Sequence, residues 1–392
     1  MYHLYQQHFQ KLQNKGKYRQ LPELFGTKRL DFSTNDYLGL SRRKELLDAA
    51  IAAGRAYGVG ATGSRLLSGN QFLFEALEMR IAVDKGTEAA LVFNSGFQAN
   101  ISVLSSLLDE GVLKAKPLVF FDKLNHASLY SAVFLSGAEL IRYNHNDIDQ
   151  LSNLLDKHPD DRPKFIVAET VFGMDGDVLP MQAVVDLAEK HSAFLYLDEA
   201  HATGIFGKNG YGLSTTVSLK KVPHLVMGTF SKALGVSGAY VACSEILKNY
   251  FVNHSQGFIY STANSPMVIG AALKAWDIVR TMDADRSRLL ELANTLRSQL
   301  QALGCDVGTS ASHIIPVILG SEDAVMEAKH QLLKSGMLVS AIRPPTVPPN
   351  TSRLRIALTT QHTLQDIQRL VDALIPLMAR QVKSPKPLQK VL

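Results

Sequence analysis

The apolar patterning of this chain predicts an α/β fold. The expected core is a mainly parallel sheet covered by helices on both faces, with a smaller α+β domain at the C-terminal side. Three observations lead there. Short apolar runs recur at Ala89–Phe93, Leu118–Phe121, Phe165–Glu169, Ala193–Asp198, His224–Gly228 and Gly238–Ala242, each bounded by polar or turn residues, as buried strands are. The stretches between them are mostly long enough for crossover helices, and that alternation builds parallel sheets. Near residue 275 the rhythm changes. A long helical stretch, Trp276–Leu303, precedes an apolar run at His313–Leu319 and a helix near Glu322–Ser335. Strand-like runs follow at Met337–Arg343 and Arg353–Leu358, and a last helix starts near Thr363, a hydroxyl residue suited to an N-cap, and runs to about Arg380.

The expected organisation is an N-terminal arm over 1–38, amphipathic and basic at its start, a large domain over 39–275 and the α+β domain over 276–380. The tail at 381–392 is rich in Lys and Pro and is expected to be disordered. No internal repeats occur.

Composition removes several function classes. With 46% hydrophobic and 20% charged residues, the chain is ordinary for a globular protein. A net charge of +5 spread over 392 residues gives no basic stripe for nucleic acid, only a mild preference for anionic ligands. The 2 cysteines, Cys243 and Cys305, show no metal or disulfide spacing and suit buried thiols in a cytoplasmic protein. The polar start, Met1 to Gln20, lacks the apolar core of a signal peptide, and no apolar run approaches a membrane span.

Four segments carry candidate chemistry. In Gly228-Thr229-Phe230-Ser231-Lys232-Ala233-Leu234-Gly235, a lysine follows a strand end among small and hydroxyl residues. Strand ends facing a sheet's crevice collect ligands. A lysine there can form a Schiff base with an aldehyde cofactor if its surroundings lower its pKa. Alone, it would read as a solvated lysine. In Tyr196-Leu197-Asp198-Glu199-Ala200-His201, an apolar run delivers Asp198 to a strand's carboxyl end, where it can hold a protonated ring nitrogen. His201 follows three residues on. The bland alternatives are a loop carboxylate and a structural histidine. Asp198-Glu199-Ala200-His201 also spells a helicase acidic box, but that chemistry needs a P-loop, and the chain has none.

Asn94-Ser95-Gly96-Phe97-Gln98-Ala99-Asn100 directly follows an expected strand. A small residue opening a helix there exposes N–H groups to phosphate; a plain turn glycine is the alternative. Asp122-Lys123-Leu124-Asn125-His126-Ala127-Ser128-Leu129 also follows a strand. His126 there can stack a flat ring or pass a proton near neutral pH, or merely cap a helix.

The order of these elements resembles fold-type I pyridoxal-phosphate enzymes, and within them the α-oxoamine synthases. The resemblance runs from Asp31 to about Leu377. It also rests on Ser33-Thr34-Asn35-Asp36-Tyr37-Leu38-Gly39-Leu40, Gly58-Val59-Gly60-Ala61-Thr62-Gly63-Ser64-Arg65 and Met174-Asp175-Gly176-Asp177. It implies a seven-stranded sheet, pyridoxal 5'-phosphate as cofactor and a homodimer. By resemblance Lys232 would carry the cofactor and act as base at the substrate Cα, and Asp198 would face the pyridine nitrogen. His201 would bond the phenolic oxygen, and His126 would stack on the ring near the incoming acyl group. The backbone of Gly96 and Phe97 and the hydroxyl of Thr229 would hold ring and phosphate, with Thr262 reaching the neighbouring subunit's phosphate. Arg355 would clamp the amino-acid carboxylate, and Asn35 sits in the substrate-side turn. Arg19 and Thr346 match positions that contact the acyl substrate, although Arg19 also reads as a solvated arm residue. One position departs: Gly173 stands where a serine often precedes Met-Asp-Gly-Asp, which removes one hydroxyl contact to the ring.

Ala341-Ile342-Arg343-Pro344-Pro345-Thr346-Val347-Pro348, with Arg353-Leu354-Arg355, resembles the biotin-pathway branch. That branch condenses L-alanine with a pimeloyl thioester, carried on CoA or acyl carrier protein. The alternatives are glycine-using sisters, 2-amino-3-ketobutyrate CoA ligase or 5-aminolevulinate synthase, and a non-catalytic partner subunit. Such subunits tend to lose the lysine that Lys232 supplies.

Overall fold

A computed structural model describes residues 1–14, 18–19, 21 and 29–382. Its strands, in chain order, are β1 (Leu30–Asp31), β2 (Ala89–Phe93), β3 (Leu118–Asp122), β4 (Glu139–Tyr143), β5 (Lys164–Glu169), β6 (Phe194–Asp198), β7 (His224–Thr229), β8 (Ala239–Cys243), β9 (Ile314–Gly320), β10 (Met337–Leu338), β11 (Ser340–Ile342) and β12 (Ser352–Ala357). The chain divides into two compact units. The larger comprises Asn35–Gly173 and Val178–Arg288, and the smaller gathers Met1–Thr34, Met174–Asp177 and Leu289–Leu392.

In the larger unit a 7-stranded sheet runs in the order β2-β8-β7-β6-β5-β3-β4. The strands from β7 to β4 are parallel, and β8 is antiparallel to both β7 and β2. The reason for the reversal is local. A parallel crossover needs roughly a dozen residues or more, and the link from Thr229 to Ala239 is shorter. That tight link carries Lys232. Because β2 and β7 are each antiparallel to β8, they run the same way. The carboxyl ends of β2, β3, β5, β6 and β7 therefore share one edge of the sheet, where ligands bind in such folds.

Both faces are dry, which explains why these strands read as continuous apolar runs. Leu91, Val119, Phe121, Val167, Tyr196 and Met227 belong to one core cluster. Their neighbours Leu118, Phe120, Ile166, Ala168, Leu197 and Val226 belong to the other. Successive side chains alternate between faces, so each strand feeds both cores. Truncating Phe121 to alanine would cost about 3–5 kcal/mol.

In the smaller unit β9, β11 and β12 form an antiparallel sheet in the order β11-β12-β9, and β1 pairs in parallel with β10. Met174–Asp177 belongs here because Asp175 pairs with Arg353 and Gly176 leaves no room for a side chain. At φ 72° its Cβ would fall 1.8 Å from the Ile314 carbonyl oxygen. The last helix, Leu364–Val382, begins as expected. Thr363 and Asp366 cap it reciprocally, the Thr363 Oγ1 accepting from Asp366 N at 3.2 Å and the Asp366 carboxylate from Thr363 N at 3.0 Å.

Some expectations are corrected. The stretch Trp276–Leu303 is two helices, Pro266–Val279 and Asp283–Ala302. Ser265 caps the first, with Pro266 in its first turn, and the chain turns at 280–282 before Asp283 opens the second. The run Met337–Arg343 is two short strands in different sheets. The edge strand Glu139–Tyr143 was not expected, because its half-polar sequence suits an edge with incomplete burial. The arm contains a helix, Tyr2–Asn14, with no buried residue. The rest of the basic arm at 15–17, 20 and 22–28 lies outside the described residues. So does the segment expected to be disordered from 383 onward, while 381 and 382 close the last helix. Among the described residues no helix is long and apolar enough to cross a membrane.

Candidate active site

The turn expected to hold phosphate is built where β2 meets the helix Gly96–Leu107. Ser95 caps that helix, its hydroxyl accepting from Gln98 N at 3.2 Å. The first N–H groups of a helix have no partner within it and attract anions. Gly96 is required here: a Cβ would lie 2.6 Å from Thr229 Cγ2 at the end of β7. Phe97 is exposed beside it. Thr262 is exposed too, and its carbonyl accepts from Asn94 Nδ2 at 2.7 Å, so its backbone adjoins the turn of its own chain.

Asp198 ends β6 and is 3% exposed. Its Oδ1 accepts from Ala200 N at 2.9 Å and its Oδ2 from Asn100 Nδ2 at 2.8 Å. Two neutral donors hold the carboxylate while adding no charge of their own, so a cationic ring nitrogen is a suitable partner. His201 is buried, with Nδ1 2.7 Å from the Tyr37 hydroxyl, which also donates to Asn35 Oδ1 at 2.9 Å. Asn35 is thereby joined to His201 through Tyr37. Gly173 makes room for that ring, since a Cβ there would fall 2.3 Å from His201 Nε2.

His126 caps the helix Ala127–Ser136. Desolvation of its ring pushes its pKa below the ordinary value; Lys232 adds to this and Asp198 opposes it. Lys232 is half-buried in a turn closed by Gly235 N donating to the Lys232 carbonyl at 2.9 Å. Gly235 has φ +67°, and a Cβ there would meet Ser41 N at 2.4 Å, so the loop needs glycine. The larger unit thus brings Gly96, His126, Asp198, His201, Thr229 and Lys232 to one sheet edge.

In the smaller unit, Arg19 Nη2 donates to Thr346 Oγ1 at 3.3 Å. Both line a cavity of about 230 Å³ with Ala341, Ile342, Arg343 and Pro344. Arg19 is exposed, and its contact with Thr346 places it at the mouth of this cavity. Arg355 lies on β12, 4% exposed.

Several residues at these sites are not singled out by the sequence. Tyr37 and Asn100 stand within the motifs without a local pattern that marks a role. Glu169 ends β5, 5% exposed, beside Asp198; a carboxylate closing the apolar run Phe165–Ala168 was the available signal. Arg343 was read for resemblance only, and its second cation beside Arg19 appears only when the chain is folded.

Residues 27–374 match the model of the aminotransferase class I and II family, and the chain belongs to that family. At the level of individual proteins, it is similar to one from Paramagnetospirillum magneticum named as an 8-amino-7-oxononanoate synthase, 49% identical over 351 residues, 89% of this chain and 88% of that one. Among solved structures, SPT with its PLP internal aldimine superposes with a TM-score of 0.87 at 28% identity, covering 96% of this chain and 97% of that one. The 8-amino-7-oxononanoate synthase of Francisella tularensis superposes with a TM-score of 0.77 at 28% identity, covering 91% and 98%.

Proposed function

We propose that this chain is a pyridoxal-phosphate-dependent acyltransferase, an 8-amino-7-oxononanoate synthase that joins L-alanine to a pimeloyl thioester. The observation that carries the substrate reading is the cavity shared by Arg19, Thr346 and Arg343. Two guanidiniums and a hydroxyl suit the free carboxylate of a dicarboxylic acyl chain. An acetyl group offers nothing for them to hold; a succinyl group carries the same carboxylate on a shorter chain, and kcat/KM separates the two.

The residues present fit the cofactor: Gly96 leaves a cradle that a Cβ would fill, and Asp198 and His201 are fixed by neighbours at the same sheet edge. When bound, pyridoxal phosphate supplies an electron sink for charge developing at the amino-acid Cα. Lys232 would hold it through Nζ and take the Cα proton. Asp198 would keep a proton on the pyridine nitrogen, and His201 would bond the phenolic oxygen. His126 would cover the ring face. The N–H groups of Gly96 and Phe97 and the Thr229 hydroxyl would hold ring and phosphate, Arg355 would clamp the alanine carboxylate, and Asn35 would serve the substrate. The condensation forms a bond from the alanine Cα to the acyl carbon, releases the carrier thiol, and loses the alanine carboxylate as carbon dioxide.

A homodimer completes the reading, with Thr262 serving the partner's phosphate. Supporting it, the larger unit exposes Leu66, Leu67, Phe72, Met79, Val83 and Tyr260 on segments near Thr262 or on the helix Phe72–Lys85. Large exposed apolar side chains in number mark an association surface. The working site is then the cytoplasm, in keeping with two unpaired thiols.

The test compares kcat/KM for L-alanine with pimeloyl-CoA or pimeloyl-acyl carrier protein against glycine with acetyl-CoA and succinyl-CoA. The alanine and pimeloyl pair should be preferred. Some glycine turnover is expected, because one methyl is worth only about 1–3 kcal/mol in a pocket. A clear preference for either glycine pair would overturn the substrate reading and leave the family standing.

A further inference from the structure

Asn100 lies on the helix that follows the phosphate turn, 1% exposed, and reaches toward two residues of the site at once. Its Oδ1 accepts from the Tyr196 hydroxyl at 2.8 Å. Its Nδ2 donates to Asp198 Oδ2 at 2.8 Å and to Ser128 Oγ at 2.9 Å. Ser128 Oγ lies 2.7 Å from His126 Nδ1, and Ser128 N approaches the same nitrogen at 3.2 Å. Ser128 and Tyr196 are 0% exposed, so water does not compete along this chain of contacts.

The direction of each bond follows from what each group can give. An ionised carboxylate only accepts, and a phenol hydrogen needs an acceptor. The Asn100 amide therefore turns its oxygen to Tyr196 and its nitrogen to Asp198. Its second amide hydrogen occupies a lone pair of Ser128 Oγ. Ser128 keeps one hydrogen of its own, and the acceptor in reach is His126 Nδ1. That nitrogen also receives the Ser128 N–H, so it accepts from two donors. A neutral imidazole that accepts at Nδ1 carries its proton at Nε2.

We infer that Asn100 and Ser128 are positioning residues that link His126 to Asp198 and lock His126 as the Nε2–H tautomer, leaving the ring a hydrogen-bond donor at Nε2. Burial of the ring, which lowers the pKa of His126, agrees with a neutral imidazole there. The use of that donor in condensation rests on the function proposed above; the tautomer itself does not. Asn100 as mere polar filling would leave the His126 proton where it is when Asn100 changes.

The experiment is a nitrogen correlation spectrum of the full-length protein, purified with its cofactor and labelled with ¹⁵N in the histidine rings. The His126 signals are assigned by their loss in His126→Gln. Wild type should show a bare Nδ1 and a protonated Nε2. Ser128→Ala removes the hydroxyl, keeps the backbone N–H, and should lower the Nε2–H to Nδ1–H ratio about three- to tenfold, the share of one ordinary hydrogen bond. Ser128→Thr keeps a hydroxyl and should restore the ratio. Asn100→Ala should also lower it; should that variant not fold, the serine pair decides alone. A wild-type proton on Nδ1, or a ratio unchanged in Ser128→Ala, overturns the inference. Failure to make 8-amino-7-oxononanoate would count against the proposed function only, since the spectrum reads ring nitrogens and not turnover.

Discussion

Glu169 and Asp198 are register partners at the ends of β5 and β6, so two carboxyl groups share one buried corner. Burial first, and then the charge of Asp198, raise the Glu169 carboxyl well above its ordinary value; Lys232 and the N–H groups of His126 and Gly173 oppose this. Two neighbouring carboxylates do not both ionise readily. Asp198 accepts from two donors, and burial beside its charge makes Glu169 the carboxyl that gives up its proton less readily.

This has a consequence for stability. An acid whose folded pKa is raised holds a proton that the unfolded chain gives up above about pH 4.3. The folded state then loses stability as pH rises from there toward the raised value. Glu169→Gln removes that cost without changing shape. Its Tm should exceed wild type at neutral pH, and the two should converge below about pH 4. Thermal unfolding of both proteins between these pH values checks it. A difference independent of pH would show that Glu169 is ionised in the folded state.

The Lys232 assignment makes a sharper demand. Borohydride reduction of the purified protein should fix the cofactor to the peptide containing Lys232, and Lys232→Ala should abolish both label and turnover. A label on another lysine removes the assignment.

Replacing Asp198 with alanine should leave some cofactor bound and suppress exchange of the alanine Cα proton. A hydrogen bond to a charged group is worth about 1.5–3 kcal/mol, so the cofactor should bind roughly ten- to a hundredfold more weakly. Exchange at the original rate would rule out its role at the ring nitrogen.

The sequence was most informative where a strand is buried on both faces. Ala89–Phe93 is an apolar run whose limits match the strand, because both sheet faces are covered. The Lys232, Asp198 and His126 positions were legible for the same reason: each follows such a run. What escaped depends on folding. Glu139–Tyr143 lies at the sheet edge and carries polar residues that hide it. The Tyr37 hydroxyl meets His201 across 164 positions, and Arg19 meets Thr346 across 327. No local pattern encodes contacts of that separation. Nor does sequence distinguish the orientation of the Asn100 amide, which is set by Tyr196 and Asp198 on β6.

Gly173 offers a test of how tightly His201 is held. In Gly173→Ala the new Cβ would lie 2.3 Å from His201 Nε2, well inside contact distance, so the ring must move. Moving it stretches the 2.7 Å contact between Nδ1 and the Tyr37 hydroxyl. The visible spectrum of the purified variant should shift, and its cofactor affinity should fall about three- to tenfold, the loss of one ordinary hydrogen bond. An unchanged spectrum and affinity would mean that His201 does not touch the cofactor.

The residue after Asp198 anchors the site from below. Glu199 and Lys85 form an ion pair with both side chains 0% exposed. Glu199 Oε1 also accepts from Ser214 N at 2.6 Å, and Gly212 must lack a Cβ because one would fall 1.9 Å from Oε2. Burial opposes the charge on Lys85, but Glu199 and Tyr240 outweigh it and hold the lysine above its ordinary pKa. A buried pair adds little net stability over apolar side chains of the same volume, yet removing one partner strands the other and costs about 3–5 kcal/mol. Lys85→Met should therefore be destabilised by that amount in urea unfolding. The double variant Lys85→Met with Glu199→Gln should recover most of the loss, since no charge is then left in the core. The pH dependence has a definite sign. A lysine with a raised folded pKa contributes stability that is fully present below its unfolded value, about 10.4, and is lost as pH rises through the folded value. The gap between wild type and the double variant, in which no unpaired carboxyl is left, should stay constant at neutral pH and narrow above about pH 10.4. If the two single losses simply add in the double variant, the pair does not act as a unit and the turn carrying Asp198 is held by its backbone bonds alone.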